Sequence, residues 1–299
     1  MTRAILTGAT GMIGVHLVRE LLDQGWEVTA LVRPGSPHIA RLEPHPHLSL
    51  IDCGLDRLDS CPLSGRYDAF FHLGWSGTSP ALRSDPEAQA VNIGCTLAAV
   101  RLAHRLGCSV FVGAGSQAEY GPRYELPISP ETPAAPVTAY GICKLAAGSL
   151  ARLECQRLGL HCAWVRIFSV YGRYDLPTTL VSTALQKLAA GETPSFTPAT
   201  HIWDYLEAGD AARALRLAAE RTSGCRIYCL GSGEARPLRD YIEQLRDIAA
   251  PGAALDIGAI PYAGQPAQLQ ADISALTRDT GWRPLVSFAE GIRRLVRNP

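Results

Sequence analysis

The sequence predicts an α/β fold built on a doubly wound parallel sheet, and three observations carry that prediction. From Ala4 to Ala114, short apolar runs alternate with stretches of helical apolar spacing, the pattern of strands joined by crossover helices. The first run, Ala4-Ile5-Leu6, leads through Thr7-Gly8-Ala9-Thr10-Gly11-Met12-Ile13-Gly14 into Val15 to Leu22, whose apolar residues recur at helical spacing. Tyr67 to Gly74 is almost continuously apolar, as strands covered on both faces are.

Composition sets the outer limits. At 299 residues, 47% apolar and 19% charged, the chain can bury a sizeable core, either as one large domain or as a large domain with a smaller lobe. Zero formal net charge and a pI of about 7.1 give no bulk field for nucleic acid or an anionic membrane, so neither is an expected partner. No apolar run approaches the ~20 residues of a membrane span, and the first residues enter a strand without a signal-peptide pattern. The cytoplasm is therefore the expected location. Nine scattered cysteines with no Cys-x-x-Cys pair read as reduced, mostly buried thiols, and no metal site is expected.

Taken in order, the glycines at 8, 11 and 14 allow a tight turn, a close ligand approach and close packing of helix on sheet. N–H groups at the helix start, aided by the helix dipole, suit a diphosphate. Gly8, Thr10, Gly11, Met12, Ile13 and Gly14 are thus the expected dinucleotide contacts. A second strand, Glu27 to Val32, ends at Arg33, where an acid would accept a free ribose 2′-hydroxyl and an arginine suits a 2′-phosphate. Arg33 predicts NADP(H), with NAD(H) the other option. A third strand, His47 to Asp52, brings Asp52 and Cys53 to the place of an adenine edge. The fourth ends at Leu73 and Gly74, whose small size leaves room for the cofactor.

A helix from Pro86 to Leu106 carries Asn92, and a fifth strand, Ser109 to Ala114, delivers Ser116 to the carboxyl edge of the sheet, where open α/β sheets bind ligands. A loop with five prolines, Pro122 to Pro136, forms a rim. The next helix opens with Tyr140 and Lys144, four apart and so on one face. A free tyrosine has a pKa of about 10, and bringing it to neutrality asks for about 4 kcal/mol of preference for the tyrosinate. An ammonium one turn away, helped by an oxidised nicotinamide, has the right sign to supply it. Ser116, Tyr140 and Lys144 are the candidate catalytic residues.

With these residues in view the chain resembles the extended short-chain dehydrogenase/reductases, the NAD(P)-dependent sugar-nucleotide epimerase, dehydratase and reductase group. The resemblance rests on Gly8-x-x-Gly11-x-x-Gly14, Asn92 in Val91-Asn92-Ile93, Ser116 followed by Tyr120-Gly121, Tyr140-x-x-x-Lys144, and Arg166-Ile167-Phe168-Ser169-Val170-Tyr171-Gly172. Asp204-Tyr205, Asp210-Ala211-Ala212, and Ala271-Asp272-Ile273 through Gly281-Trp282-Arg283-Pro284 extend it to nearly the whole chain. It implies a Rossmann domain over residues 1–176, rejoined by 203–229, and a smaller substrate lobe from 177–202 and 230–299. It also implies Asn92 and Phe168 as cofactor contacts, a nucleotide-sugar substrate, and a homodimer through the helices holding Asn92 and following Tyr140.

Dehydratases of this group carry Thr-Asp-Glu where this chain has Ser116-Gln117-Ala118, so the acid and base needed to eliminate water are missing. Reduction and epimerisation remain. Arg33 favours an NADPH-dependent reductase of a nucleotide-activated 4-keto-6-deoxyhexose, with hydride delivered to the ketone, Tyr140 as acid, Ser116 on the oxygen and Lys144 on the nicotinamide ribose. A 4-epimerase with tightly bound NAD is the alternative, and a non-catalytic NADP-sensing module the most distant one. Many relatives place arginines on the diphosphate where this chain has Trp203 and Tyr262. Trp75, Gln117, Ser169, Trp203 and Tyr262 are the expected substrate contacts.

Overall fold

The computed structural model describes residues 1–297. Seven parallel strands form the central sheet: β1 (Arg3–Thr7), β2 (Glu27–Val32), β3 (Leu48–Asp52), β4 (Ala69–His72), β5 (Val110–Ser116), β6 (His161–Ile167) and, later in the chain, β11 (Cys225–Leu230). Their order is β11-β6-β5-β4-β1-β2-β3. The order reverses between β1 and β4, and such a switch point opens a crevice beyond the carboxyl ends of the strands. The helices are α1 (Met12–Asp23), α2 (Pro80–Arg83), α3 (Pro86–Arg105), α4 (Ala139–Leu158), α5 (Leu180–Ala189), α6 (Ala208–Arg221), α7 (Leu238–Ala249), α8 (Ser274–Thr280) and α9 (Phe288–Arg297). Six two- or three-residue strands, β7 (Ser169–Tyr171), β8 (Ser195–Phe196), β9 (Ile202–Trp203), β10 (Tyr205–Glu207), β12 (Arg236–Pro237) and β13 (Asp256–Ile257), pair as β7 with β10, β9 with β12 and β8 with β13.

Each face of the sheet has its own core. On one, Leu17, Val18 and Leu21 of α1 and Ala211, Leu215 and Ala218 of α6 pack over Leu6, Val28 and Val112. On the other, Ala99 and Leu102 of α3 and Ala147 and Ala151 of α4 cover Ile5, Phe70, Phe111 and Trp164. A third core gathers Val181 and Leu188 of α5, Ile242 and Leu245 of α7, and Phe288 and Ile292 of α9 into the smaller lobe. Leu276 of α8 and the fully buried Trp282 join the α1/α6 core instead, so the chain returns to the main sheet a second time inside the stretch 230–299 assigned above to the lobe. Trp282 donates Nε1–H to the Asp210 carbonyl at 3.1 Å, which fixes that return.

Candidate active site

The turn after β1 has the geometry its glycines demand. Gly8 sits at φ +75°, and a Cβ there would lie 2.6 Å from Gly74 N and 2.7 Å from Leu73 C, so the turn nests on the end of β4. A Cβ on Gly14 would reach to 2.1 Å from Gly8 O. Gly11 is different: it is exposed, and its Cβ would meet nothing closer than Gly8 O at 3.4 Å. As N-cap of α1 it offers no side-chain bond, and the first turn holds no acid. The leading N–H groups around Met12 and Ile13 are thus free of a competing cap, in a cradle that a diphosphate fits. Arg41, which the motif reading missed, donates to the Thr10 carbonyl at 3.2 Å on the rim of this turn.

Val32 is buried at the end of β2 and Arg33 after it reaches solvent, with Asp52 of β3 in register opposite Val32. Asp52 is exposed at the end of β3, and Cys53 is buried with its thiol toward the Gly54 carbonyl. Asn92 has a structural role: its amide accepts from Ser76 N at 2.7 Å and donates to Ser76 O at 3.1 Å and Gln89 O at 3.1 Å, so it anchors the loop after β4. A buried asparagine on a helix carries no mark of which partner takes its amide.

Ser116, Tyr140 and Lys144 lie where the end of β5 faces the first turns of α4. Ser116 is the last residue of β5, which runs two residues beyond the predicted Ala114. Ser116 opposes the rise of the Tyr140 phenol, which sets the two side chains beside each other. Thr138 caps α4 by accepting from Gly141 N at 3.1 Å, setting Tyr140 in the first turn. Lys144 is buried and donates to the Ala114 carbonyl at 2.7 Å, with Nζ 3.7 Å from the centre of the Trp75 ring. Trp75 also meets Tyr140 edge to face and is pinned by donating Nε1–H to Gln89 at 2.8 Å. The span Leu73–Trp75 therefore touches the glycine turn at one end and the catalytic pair at the other.

Burial pushes the Tyr140 phenol above its ordinary value; the Ser116 contact and the Arg83 guanidinium, 4.1 Å above the ring, act against that rise. Lys144 is not what lowers it: its ammonium is 5.8 Å from the ring centre and bonded to a carbonyl. Burial also takes Lys144 down to about 7, opposed by the Glu119 carboxylate. Between that value and the ordinary 10.5 the unfolded chain holds a proton that the folded chain releases, so this group makes stability rise with pH across the window. The cost of burying the ammonium is complete below pH about 7. Lys144→Met is therefore expected to raise the melting temperature of the cofactor-free protein most at and below that pH, with the gain shrinking toward pH 10. A gain that stays constant across the window contradicts this.

Beyond Ser116 lies a cavity of about 380 Å³ lined by Phe168, Ser169, Asp175, Thr179, His201 and Trp203. Its position follows from the register that pairs Ser116 with Ile167, one residue before Phe168. Trp203 Nε1 and, beside Ser116, Gln117 Oε1 are buried without a protein partner. Tyr262 accepts from Thr200 N at 3.0 Å and bonds His201 Nδ1 at 3.1 Å; it braces the cavity wall from behind and is not part of its lining. Two further residues at the site escaped the motif reading. Arg83 sits on the four-residue helix α2, too short for a periodic signal. Glu119 lies inside the Ser116 to Tyr120 segment, where only its burial marks it out.

The sequence model of the NAD dependent epimerase/dehydratase family matches residues 4–231. The chain belongs to this family. Among its epimerase/dehydratase relatives, the dTDP-glucose 4,6-dehydratase of Streptomyces griseus is 25% identical, over 99% of this chain and 93% of its own length. The dTDP-6-deoxy-L-talose 4-dehydrogenase (NAD(P)(+)) of Kitasatospora kifunensis is 28% identical over 98% and 94%. UDP-glucose 4-epimerases recur at 23% to 28% identity. The crystal structure of UDP-glucose 4-epimerase from Thermotoga maritima, solved with UDP-glucose, superposes with a TM-score of 0.85 over 99% of this chain and 98% of that one, at 20% identity. The fold is the Rossmann-like parallel sheet of these enzymes, and the chain is an enzyme of the NAD dependent epimerase/dehydratase family.

Proposed function

We propose that the protein carries out reversible oxidation and reduction at C4 of a nucleoside-diphosphate sugar, and that it runs as a 4-epimerase. The observation that carries this reading is the continuous link from Gly8 through Leu73–Trp75 to Tyr140 and Lys144, which sets an acid/base beside the dinucleotide cradle. The recurrence of 4-epimerases among the relatives supports epimerisation over the net reduction expected from sequence. Gly8, Thr10, Gly11, Met12, Ile13 and Gly14 would hold the diphosphate, with Leu73, Gly74 and Phe168 toward the nicotinamide. When bound, the cofactor supplies a hydride acceptor that returns the hydride.

Tyr140 takes the proton from the C4 hydroxyl as the carbon is oxidised and gives it back as the ketone is reduced. Ser116 donates a hydrogen bond to the same oxygen throughout. Lys144, protonated, orients the nicotinamide ribose. Gln117 and Trp203, with their unpartnered polar atoms, are the sugar contacts we assign, joined by Ser169. What argues against dehydration is that the one carboxylate between Ser116 and Tyr120 is Glu119, already bonded through both oxygens.

A 4-reductase using NADPH is the second reading, supported by Arg33 in place of an acid at the β2 end and by the 4-dehydrogenase relative. Solved neighbours carry NAD, which supports NAD for the epimerase reading. The two readings part on stoichiometry. The epimerase converts UDP-glucose and UDP-galactose into each other with no net change in nicotinamide absorbance. The reductase leaves both untouched and consumes NADPH when given a 4-keto-6-deoxy sugar nucleotide.

We assign residues 1–176 with 203–229, and the return at 274–282, to the dinucleotide half. Exposed Val91 on α3 and Ile142, Leu150 and Leu153 on α4 support a homodimer through these two helices. Nine free thiols support a reducing, cytoplasmic setting. Among the described residues no helix is long and apolar enough to cross a membrane.

A further inference from the structure

Glu119 is an ionisable side chain sealed beneath the catalytic serine. It is fully buried, with Oε1 accepting from Ser116 N at 2.8 Å and from Trp164 Nε1 at 3.0 Å. Its Oε2 pairs with Arg166 Nε at 2.7 Å, and the Arg166 side chain is itself only 5% exposed. Burying such a pair costs about as much as it returns, and apolar side chains of similar volume commonly hold a fold as well or better. Stability alone therefore gives no reason for a charge here.

The geometry around Ser116 gives one. Ser116 opens a one-turn 3-10 helix, Gln117–Glu119, in which its Oγ accepts from Ala118 N at 3.2 Å while Glu119 reaches back to the Ser116 N–H, a reciprocal capping box. A serine hydroxyl has one proton to give and two lone pairs. With one lone pair turned to Ala118 and the backbone held by Glu119, the hydroxyl proton is left free to be donated out of the turn.

We propose that Glu119 is a positioning residue for catalysis: by gripping the Ser116 N–H it locks the capping box that commits the Ser116 hydroxyl to donating toward the substrate oxygen. Arg166 serves as its counter-ion, and Trp164 holds the second lone pair of Oε1. The inference rests on the catalytic reading of Ser116 and Tyr140 given above.

A double-mutant cycle between Glu119 and Ser116 tests it, with Tyr140 and the cofactor sites left intact. Glu119→Met is made together with Arg166→Met, so that no charge is left unpaired. Ser116→Ala is expected to lower kcat about 100-fold, the usual loss of an oxyanion donor. The Met pair is expected to lower kcat about 30-fold when Ser116 is present, with dinucleotide Kd unchanged, and less than about threefold when residue 116 is already alanine.

Losses that multiply in full across the cycle overturn the proposal, because a residue acting only on packing is indifferent to the serine hydroxyl. Pairing Glu119→Gln with Arg166→Gln returns an acceptor for the Ser116 N–H and is expected to restore most of kcat; no recovery counts against the proposal. Should the Met pair not fold, Glu119→Ala, which leaves room for water beside Arg166, carries the same cycle. Ser116→Ala without loss of turnover would refute the catalytic assignment itself, an outcome distinct from multiplying losses.

Discussion

Tyr140→Phe is expected to cut turnover about 1,000-fold, within the range for a positioned acid/base, while dinucleotide affinity stays within about twofold of wild type. The substitution removes one oxygen and leaves the ring packing in place: the edge of Trp75 at 5.9 Å and the Arg83 guanidinium at 4.1 Å. Because burial raises the phenol, it is protonated at neutral pH in the cofactor-free protein and starts as a proton donor. The oxidative half-reaction needs the phenolate, and the cations positioned to favour it are Arg83 over the ring and a bound oxidised nicotinamide. Steady-state rates and cofactor fluorescence on the same samples check both halves. Retained turnover, or lost binding without lost chemistry, contradicts the assignment.

Gly14→Ala is expected to strike binding and stability together. The new Cβ would lie 2.1 Å from Gly8 O and 2.9 Å from Ala9 Cα, so backbone would have to part from backbone. Such overpacking costs about 3 kcal/mol, and α1 cannot shift freely because Leu17, Val18 and Leu21 are locked into the core shared with α6. Moving the start of α1 away from Gly8 opens the cradle, so dinucleotide affinity is expected to fall about 100-fold alongside a lower melting temperature. Gly11→Ala is the informative contrast: the apo fold has room for it, and any loss of affinity there reports on the ligand. A Gly14→Ala protein with wild-type affinity would remove the turn from the cofactor site.

What sequence revealed and what it hid divides along physical lines. The glycine turn was legible because close backbone approach at Gly8 and Gly14 admits no other residue, and Tyr140 with Lys144 because helical spacing alone puts them on one face. The parallel sheet followed from strands alternating with helices. The hidden features depend on which side chain answers which. Asn92 turned to Ser76, Tyr262 to Thr200 and His201, and Trp282 to Asp210, each a choice made by tertiary neighbours. The direction of the Tyr140 shift was hidden as well, since spacing locates a cation one turn away but says nothing of burial or of the Ala114 carbonyl that claims it.

The central claim is that hydride moves between a sugar carbon and a nicotinamide under the control of Tyr140. The most direct measurement follows deuterium placed at C4 of UDP-glucose through turnover. The account predicts that the label stays at C4 of the UDP-galactose formed, apart from what is caught on the bound cofactor, with none released to water, and that Tyr140→Phe stops its movement. Label appearing in solvent, or epimer formed from protein stripped of dinucleotide, would contradict it.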